Sequence, residues 1–515
     1  MMKKFLLFSI FCVLSSCIFS SCAKKSDQSQ VLLDEAIKLI QSAKETEKTS
    51  YSEAYDLYRQ AMVKLETILS QYGSSSVAIS MKNGETKIDK YTFKEFKETV
   101  FPLVRKKAKF EENPGFGAFI VIKTMRDTSF KDTTLSGIAK KFAETGNFDE
   151  ALKIKDSIEN EFLKLITLCE IAEKYAENGH GEKADILTTQ ALQELGSLRD
   201  SYGKTRILTS IAGNFLDTGH KEKALENLSL AEQTAVEITP AYSKASMLCE
   251  IGLVYRKAGQ DEKADEQMSN ALKTADSIDN LTSRTRVLID IADTFQKLGK
   301  KDKVDTILSQ ALKINSDAKD VSSRIEGLYS IVNANVDFGN TDTAKKLVSK
   351  AFDLANSIKD PEEKNTGLAK VSDAFAKTGD FEKAFEIVQT IEDFHSKTLA
   401  LSEIASLYNQ DGDKKKAYQV AAQALESAGK IKEKVFKNLA LFEISGRFTD
   451  SDGYEKAFEV AKLIDSSTLK FLALSNIALE FMKPENVQKE SITRIMHGII
   501  TELEERKEFG WEEVN

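Results

Sequence analysis

Residues 168–191 read LCEIAEKYAENGHGEKADILTTQA. Within this stretch, apolar and small residues are spaced so that they share one face of a helix: Leu168, Ile171, Ala172 and Tyr175. Gly179 follows, and glycine readily adopts the left-handed conformation that ends many helices. Ala184 and Ala191 then share one face of a second helix, where small side chains allow two helices to approach closely. The stretch therefore predicts a helical hairpin.

The same pattern recurs along most of the chain. Its core isoleucine or valine stands at ten positions separated by 33 or 40 residues: Ile138, Ile171, Ile211, Ile251, Ile291, Ile331, Val371, Ile404, Ile444 and Ile477. A period in this range is typical of solenoids, in which each repeat buries its apolar face against its neighbours. The sequence predicts an all-α solenoid of roughly nine to eleven helical hairpins over residues 131–495.

The turn and the repeat length carry further information. Glycine fills the turn of eight repeats, at Gly146, Gly179, Gly219, Gly259, Gly299, Gly339, Gly379 and Gly412, and Asp452-Gly453 stands in the ninth. Because seven residues make nearly two helical turns, the 40-residue repeats are predicted to have a longer second helix with the same buried face. Mixing the two lengths leaves a ragged edge, which is a candidate partner surface.

The repeat resembles the tetratricopeptide repeat (TPR) in the order of its large, small, aromatic, turn and alanine positions. The resemblance covers residues 131 to about 495 and implies a right-handed α-solenoid with a groove for protein or peptide partners. The chain departs from the family in lacking the repeat-ending proline and in having 40-residue repeats where the family has about 34. The family's clamp of a lysine and two asparagines for acidic C-terminal peptides is not present.

The regions that flank the array are predicted as separate segments. They are a signal peptide at 1–16 or 1–21, a lipidated tether at 17–30, a degenerate helical hairpin at 31–72, a helical insert or adaptor at 73–130, and a C-terminal helical cap or tail at 496–515. In the insert, Thr92 and Glu95 predict a capping box that begins a helix through about Lys109. A short apolar helix is expected from Phe119 to Met125.

The first residues favour export and lipid anchoring. Lys3 and Lys4 precede a short apolar run, as in a bacterial signal peptide. Two stretches then resemble the lipobox of bacterial lipoproteins, Leu14-Ser15-Ser16-Cys17 and Phe19-Ser20-Ser21-Cys22. Cys17 or Cys22 is therefore the expected lipidated residue, and an ordinary signal peptide with incidental cysteines is the alternative. The expected location is a bacterial cell envelope, at the periplasmic face or the cell surface, and the outer membrane in a diderm.

Charge and cysteine content narrow the classes of partner. The net charge of −8 gives no basic footprint for nucleic acid, so protein or peptide partners are expected. Cys169 and Cys249 occupy the same repeat position two repeats apart, beyond the reach of a disulfide. We expect both to be small buried or half-buried apolar residues and not redox or metal groups.

Two sets of residues are candidates for partner binding. The groove set lies on first helices, as a solvated face or as contacts to a partner: Glu173, Arg256, Asp293, Asn333, Asp373 and Asn409. The basic ladder stands seven residues before each core position: Lys131, Lys164, Lys204, Lys244, Arg284, Arg324, Lys364, Lys397, Lys437 and Lys470. Asp200, Asp320, Asp360, Asp393 and Glu433 precede five of these bases by four residues. The ladder is therefore interpreted as structural ion pairs that also offset helix C-termini, or as a grip for an anionic partner.

Catalysis is not supported by the sequence. The four histidines have no spaced partners that suggest a metal or a triad, and phosphate-loop, Cys-x-x-Cys and Gly-x-Ser-x-Gly motifs are absent. We expect no enzyme and no cofactor. The function expected is a lipid-anchored envelope scaffold or adaptor, and the alternative is a surface lipoprotein that captures a peptide or polysaccharide.

Overall fold

The computed structural model describes residues 28–125, 128–482 and 489–504. The predicted signal peptide, Cys17 and Cys22 lie outside the described residues. The chain forms two compact units, Met1–Ile120 with Phe481–Asn515, and Val121–Glu480. The segment boundaries predicted from the sequence stay predictions.

The N-terminal elements are α1 (28–46), α2 (Tyr51–Gln71), α3 (Ser76–Lys82), β1 (Lys87–Ile88), β2 (Tyr91–Thr92), α4 (Phe93–Glu95), a π-helical turn (Phe96–Val100), α5 (Phe101–Glu112) and α6 (Pro114–Lys123). The predicted capping box is present, since Thr92 Oγ1 accepts the Glu95 N–H at 3.2 Å and Glu95 accepts the Thr92 N–H at 2.8 Å. The short antiparallel pair β1–β2 departs from the all-helical expectation.

Helix α6 begins earlier than the sequence suggested. The expected start was Phe119, but the helix begins at Pro114. Asn113 Oδ1 accepts the Phe116 N–H at 3.0 Å, as an N-cap side chain does. Proline is tolerated in a first helical turn because its missing N–H has no partner there, so Asn-Pro starts a helix here instead of separating two segments.

Among its described residues, the second unit contains nine helical hairpins, each made of a first and a second helix, followed by a tenth first helix. The first helices are α7 (Thr128–Glu144), α9 (Glu161–Glu177), α11 (Ser201–Asp217), α13 (Ala241–Lys257), α15 (Leu281–Lys297), α17 (Val321–Asp337), α19 (Pro361–Lys377), α21 (Phe394–Gln410), α23 (Lys434–Asp450) and α25 (Ser467–Glu480). The second helices are α8 (Phe148–Asp156), α10 (Gly181–Glu194), α12 (Lys221–Ala235), α14 (Asp261–Asp276), α16 (Lys301–Ser316), α18 (Thr341–Ser357), α20 (Phe381–Thr390), α22 (Lys414–Ala428) and α24 (Tyr454–Lys462).

Repeat length is set in the second helix, as predicted. Each first helix from α7 to α23 has 17 residues. Second helices have 9 or 10 residues in the 33-residue repeats and 14 to 17 in the 40-residue repeats. The all-α solenoid of helical hairpins is confirmed.

The repeat positions have the roles expected of them. The ten core isoleucines and valines are each at most 1% exposed. The eight turn glycines have positive φ, and Asp452 takes the same conformation, with φ 61°, in the ninth turn. Cys169 and Cys249 are free and buried, and burial raises the pKa of each thiol to about 12.

The first helices form the inner layer of the array. Each packs against the first helices of the adjoining hairpins, and the second helices pack on the outside of them. Helix α7 also contacts α25, so the two ends of the first-helix layer meet. A layer whose ends meet is the inner layer of a curved solenoid. We call its solvent-facing surface, formed by side chains of α7 to α25, the inner face.

In the N-terminal unit, α26 (Lys489–Glu504) packs on α5. Glu111 of α5 is 3% exposed and accepts hydrogen bonds from Ser50 Oγ at 2.8 Å and from the backbone N–H groups of Tyr51 at 3.2 Å and Ser52 at 2.8 Å. The Tyr51 ring stacks on His497 of α26, with 4.8 Å between ring centroids. A buried carboxylate thus caps α2 beside the contact between α5 and α26.

Candidate functional site

The inner face carries ion pairs that join successive first helices. Arg206 of α11 pairs with Glu250 of α13. Glu326 of α17 lies between Arg286 of α15, at 3.4 Å, and Lys370 of α19. Each of these pairs joins the first helices of adjoining repeats, so the charges already have partners within the array.

Burial raises the pKa of several inner-face acids. It raises the pKa of Glu250, although the neighbouring Arg206 opposes the rise. Burial, assisted by Asp293, raises the pKa of Asp290 to about 6. Burial also raises the pKa of Glu403. The inner face therefore holds carboxylates with more affinity for protons than exposed acids have.

Asp373 is the most buried of the six predicted groove residues. It is 3% exposed, and its Oδ2 accepts a hydrogen bond from the Tyr329 hydroxyl. Lys377 Nζ lies 3.0 Å from Asp373 Oδ2 and donates to the Tyr329 hydroxyl at 2.9 Å. Two neighbouring first helices, α17 and α19, therefore share one polar network.

Three of the predicted groove residues hold an oxygen without a hydrogen-bond partner in the described part of the chain. These atoms are Asn333 Oδ1, Asp373 Oδ1 and Asn409 Oδ1, all shielded from solvent. They belong to three successive first helices, α17, α19 and α21. Shielded polar atoms in folded proteins normally have partners, so this row of acceptors is the part of the groove most in need of donors.

The other three groove residues are already engaged or lie apart from this row. Arg256 pairs with Asp261, and Asp293 pairs with Lys297 at 2.6 Å within one helix. Glu173 lies half-buried on α9. Their assignment to partner binding stays a prediction.

An exposed apolar patch lies near the starts of α21 and α23. It consists of Leu399 on α21 and Val435, Phe436 and Leu439 on α23, which are between 40% and 69% exposed. The ring centroids of Phe436 and His395 lie 4.6 Å apart. The sequence analysis did not predict this patch, although one repeat position could have indicated it. Arg206, Arg286 and Glu326 are charged at the repeat position where Leu399 and Leu439 are apolar.

The basic ladder has structural contacts in several repeats. Lys244 Nζ donates to the Val236 carbonyl at 2.9 Å and Lys470 Nζ to the Lys462 carbonyl at 2.8 Å, both near the end of a second helix. Arg284 pairs with Asp276. Contacts of this kind are expected if the ladder has a structural role and does not bind an anionic partner. The roles of Lys164, Lys204, Arg324 and Lys364 stay predictions.

The acids that precede the ladder have a different role from the expected ion pairs. Their side chains accept the backbone N–H three residues later, with distances of 2.6 to 2.9 Å, at Asp200, Asp320, Asp360 and Asp393. They are N-caps of the first helices, while Glu433 makes no such bond. A short acid just before a helix is a capping signal, so the sequence alone contained this role.

Within the described residues, His, Cys, Asp and Glu side chains form no group of three or more suited to a metal ion. In the same part of the chain, no helix combines the length and the apolar character needed to cross a membrane.

The chain matches no family model and no curated protein. Similar solved structures include Ton1535 from Thermococcus onnurineus, at 17% identity over 67% of this chain and 99% of that chain, with a TM-score of 0.31. A tetratricopeptide repeat protein from Parabacteroides merdae has 17% identity over 54% of this chain and 98% of that chain, with a TM-score of 0.23. Yeast Tom70 has 14% identity over 75% and 94% of the two chains, with a TM-score of 0.23.

Proposed function

We propose that this chain, an all-α solenoid of TPR-like hairpins, is a lipid-anchored scaffold of a bacterial envelope. It binds a segment of a protein partner along the inner face of α17 to α23. Cys17 or Cys22 carries the lipid. Of the six groove residues, Asn333, Asp373 and Asn409 lie on these helices and form the centre of the site. Glu173, Arg256 and Asp293 lie on the earlier first helices α9, α13 and α15.

The unpaired acceptors at Asn333, Asp373 and Asn409 carry the proposal. Leaving a shielded polar atom without a partner costs about 1–3 kcal/mol, and a partner that supplies donors recovers that cost on binding. Backbone N–H groups of an extended segment, or a lysine or arginine side chain, are such donors. The apolar patch on α21 and α23 then receives an apolar side chain of the same segment.

Site-specific crosslinking in cells tests the inner-face proposal. A photoreactive residue replaces Leu439 in the apolar patch, and a control protein carries it at Glu262 on an outer helix. We expect one recurrent protein adduct at position 439 and none of the same mass at 262. Asn333→Ala with Asn409→Ala should abolish the adduct without lowering the melting temperature. Adducts that are the same at both positions, or that survive both substitutions, contradict the proposal.

Lipid anchoring has its own test. Cells that express the full chain are labelled with an alkynyl fatty acid, alongside Cys17→Ala and Cys22→Ala variants. One of the two substitutions should abolish labelling. Label that persists in both variants, or that is absent from the unmodified chain, rules out the anchor while leaving the inner-face proposal open.

A further inference from the structure

The short second helices leave notches at the edge of the array. Helix α20 has 10 residues, whereas α18 before it has 17 and α22 after it has 15. Helix α24 has 9 residues and follows α22. These differences of five to seven residues correspond to about 8–10 Å of helix, so the longer neighbour projects beyond the shorter helix.

A polar side chain fixes the end of each short helix. Asn365 Oδ1 accepts the Glu392 N–H at 3.2 Å after α20, and Asn438 Oδ1 accepts the Asp465 N–H at 2.8 Å after α24. Asp132 does the same after α8, where it accepts the Glu159 N–H at 3.2 Å. The three 33-residue repeats therefore share a side-chain hydrogen bond just after the short second helix.

Two cavities occupy equivalent places in two of these notches. The upstream notch has a volume of about 420 Å³ and is lined by residues that include Ile358, Lys359, Lys364, Asn365, Leu368, Lys383, Glu386 and Glu392. The C-terminal notch has a volume of about 520 Å³ and is lined by Leu425, Gly429, Ile431, Lys432, Lys434, Lys437, Asn438, Leu441, Leu463 and Asp465. Matching repeat positions supply Ile358 and Ile431, Leu368 and Leu441, and Lys364 and Lys437.

The two notches differ in charge. The upstream notch has three lysines and two glutamates in its lining, and Lys383 is paired with Glu386 at 2.6 Å. The C-terminal notch has three lysines and one acid, Asp465. In the part of the chain that the structure describes, none of Lys432, Lys434 and Lys437 forms an ion pair. Glu433 stands between two of them in sequence but does not line the cavity.

Apolar side chains supply the rest of the C-terminal notch. Leu441 and Ile431 are 2% and 6% exposed and form its floor. Leu463, directly after α24, is 60% exposed. Helix α23 begins at Lys434, so its positive N-terminal end also faces this region. An apolar floor beneath unpaired cations fits a ligand that joins an apolar side chain to carboxylates.

We propose that the C-terminal notch binds an acidic segment of a partner protein through a central aliphatic residue. The aliphatic side chain lies on Leu441 and Leu463, and flanking carboxylates pair with Lys432, Lys434 and Lys437. This site is separate from the inner face. The scaffold would therefore bind hydrogen-bond donors in its groove and carboxylates in its C-terminal notch. A flat anionic membrane surface does not fill a concave notch, which favours a peptide occupant.

Fluorescence anisotropy of a labelled peptide tests the notch. The probe is the hexapeptide Asp-Glu-Leu-Leu-Glu-Asp, with its Asn/Gln counterpart as the uncharged control, and the protein is the full chain in mild detergent. We expect the acidic probe to bind more tightly than its counterpart and binding to weaken with added salt. K432Q/K434Q/K437Q should lower the affinity at least about tenfold, by loss of charge-assisted contacts.

The upstream notch provides the matched control. K359Q/K364Q/K383Q removes the same number of lysines and should change the affinity less than about twofold. Leu463→Ser should weaken binding of the acidic probe without altering its salt dependence. Lys359, Lys432, Lys434 and Leu463 are exposed, and Lys364, Lys383 and Lys437 are half-buried, so none of the changes falls in the buried core and folding should be retained. Equal losses in the two triple variants, equal binding of the uncharged peptide, or binding only to vesicles containing phosphatidylglycerol would overturn the proposal.

Discussion

The Asn315 side chain occupies the space that a side chain on residue 327 would need. A Cβ on Gly327 would lie 2.6 Å from Cγ of Asn315, which is 3% exposed and donates to the Arg324 carbonyl at 3.0 Å. In other repeats the Asn315 position is alanine, at Ala235, Ala275 and Ala355. The larger residue at 315 is thus accommodated by the missing side chain at 327.

Gly327→Ala should lower the free energy of unfolding by about 1–3 kcal/mol, because it overpacks a buried contact. The same change in an unhindered helix would normally add up to about 1 kcal/mol. Asn315→Ala combined with Gly327→Ala removes the side chain that the new methyl group meets and should recover most of the loss. Denaturant titrations of the two single variants and the double variant give the coupling energy. Additive effects would show that the two residues do not interact.

Gly299→Ala separates backbone conformation from packing. Gly299 has φ +75°, and a Cβ there would meet nothing within 4 Å. We expect a loss of about 1–2 kcal/mol that comes only from the left-handed backbone. Gly213 lies inside α11 and also has open space around it, so Gly213→Ala should raise the stability by about 0.5–1 kcal/mol. Thermal melts compare the two, and shifts of the same sign would contradict this account.

The features predicted correctly are those that depend on local sequence. A core isoleucine, a turn glycine and a seven-residue insertion each act within one hairpin or on its neighbour, so the period revealed them. The contact of α26 with the N-terminal helices was not predicted, because Tyr51 of α2 and His497 of α26 are far apart in sequence and lie outside the repeat array. Nor did the sequence show which side-chain oxygens would lack donors, since that depends on three helices packed together.

One sequence position distinguishes the 33-residue repeats from the 40-residue repeats. Six residues before the core position, the three 33-residue repeats have Asp132, Asn365 and Asn438. The longer repeats have residues without a carboxylate or amide there: Leu165, Thr205, Ala245, Thr285, Ile325 and Thr398. The polar residue receives the N–H at the end of the short helix, so repeat length and this position vary together for a physical reason.

Asn438→Ala should therefore destabilise the C-terminal notch. The substitution removes the acceptor of the Asp465 N–H, and because this hydrogen bond is exposed to water, the expected cost is about 0.5–1.5 kcal/mol. Asn438→Asp keeps an acceptor, as Asp132 does in the first repeat, and should be close to neutral. Amide hydrogen exchange at residues 463–466 measures the local effect. Equal protection in the alanine variant and the unmodified chain would argue against the role.

Asp290→Asn should stabilise the array in a pH-dependent way. Burial raises the pKa of Asp290 to about 6, above the value of about 4 in an unfolded chain. Its ionisation therefore opposes folding above about pH 6, and the penalty disappears as pH falls toward about 4. We expect a gain of about 1 kcal/mol at pH 7.5 for this partly shielded group and none at about pH 4.

The exposed Asp353 of α18 provides the control, because Asp353→Asn makes the same charge change without a buried carboxylate. It should have little effect at either pH. Melting curves across this range decide the matter, and a pH-independent gain in Asp290→Asn would assign the effect to packing instead.

Glu111→Ala should disrupt the N-terminal unit more than any surface change in α5. The carboxylate is 3% exposed and accepts three hydrogen bonds at the start of α2, so its loss leaves Ser50, Tyr51 and Ser52 with unpaired donors. We expect a loss of about 3–5 kcal/mol from a removed buried charge with its hydrogen bonds. The adjacent Glu112 is exposed, and Glu112→Ala should cost less than about 1 kcal/mol. Hydrogen exchange in α2 and α26 measures both effects, because α26 packs on the helix that carries Glu111. Faster exchange confined to α2 would show that capping and the docking of α26 are independent.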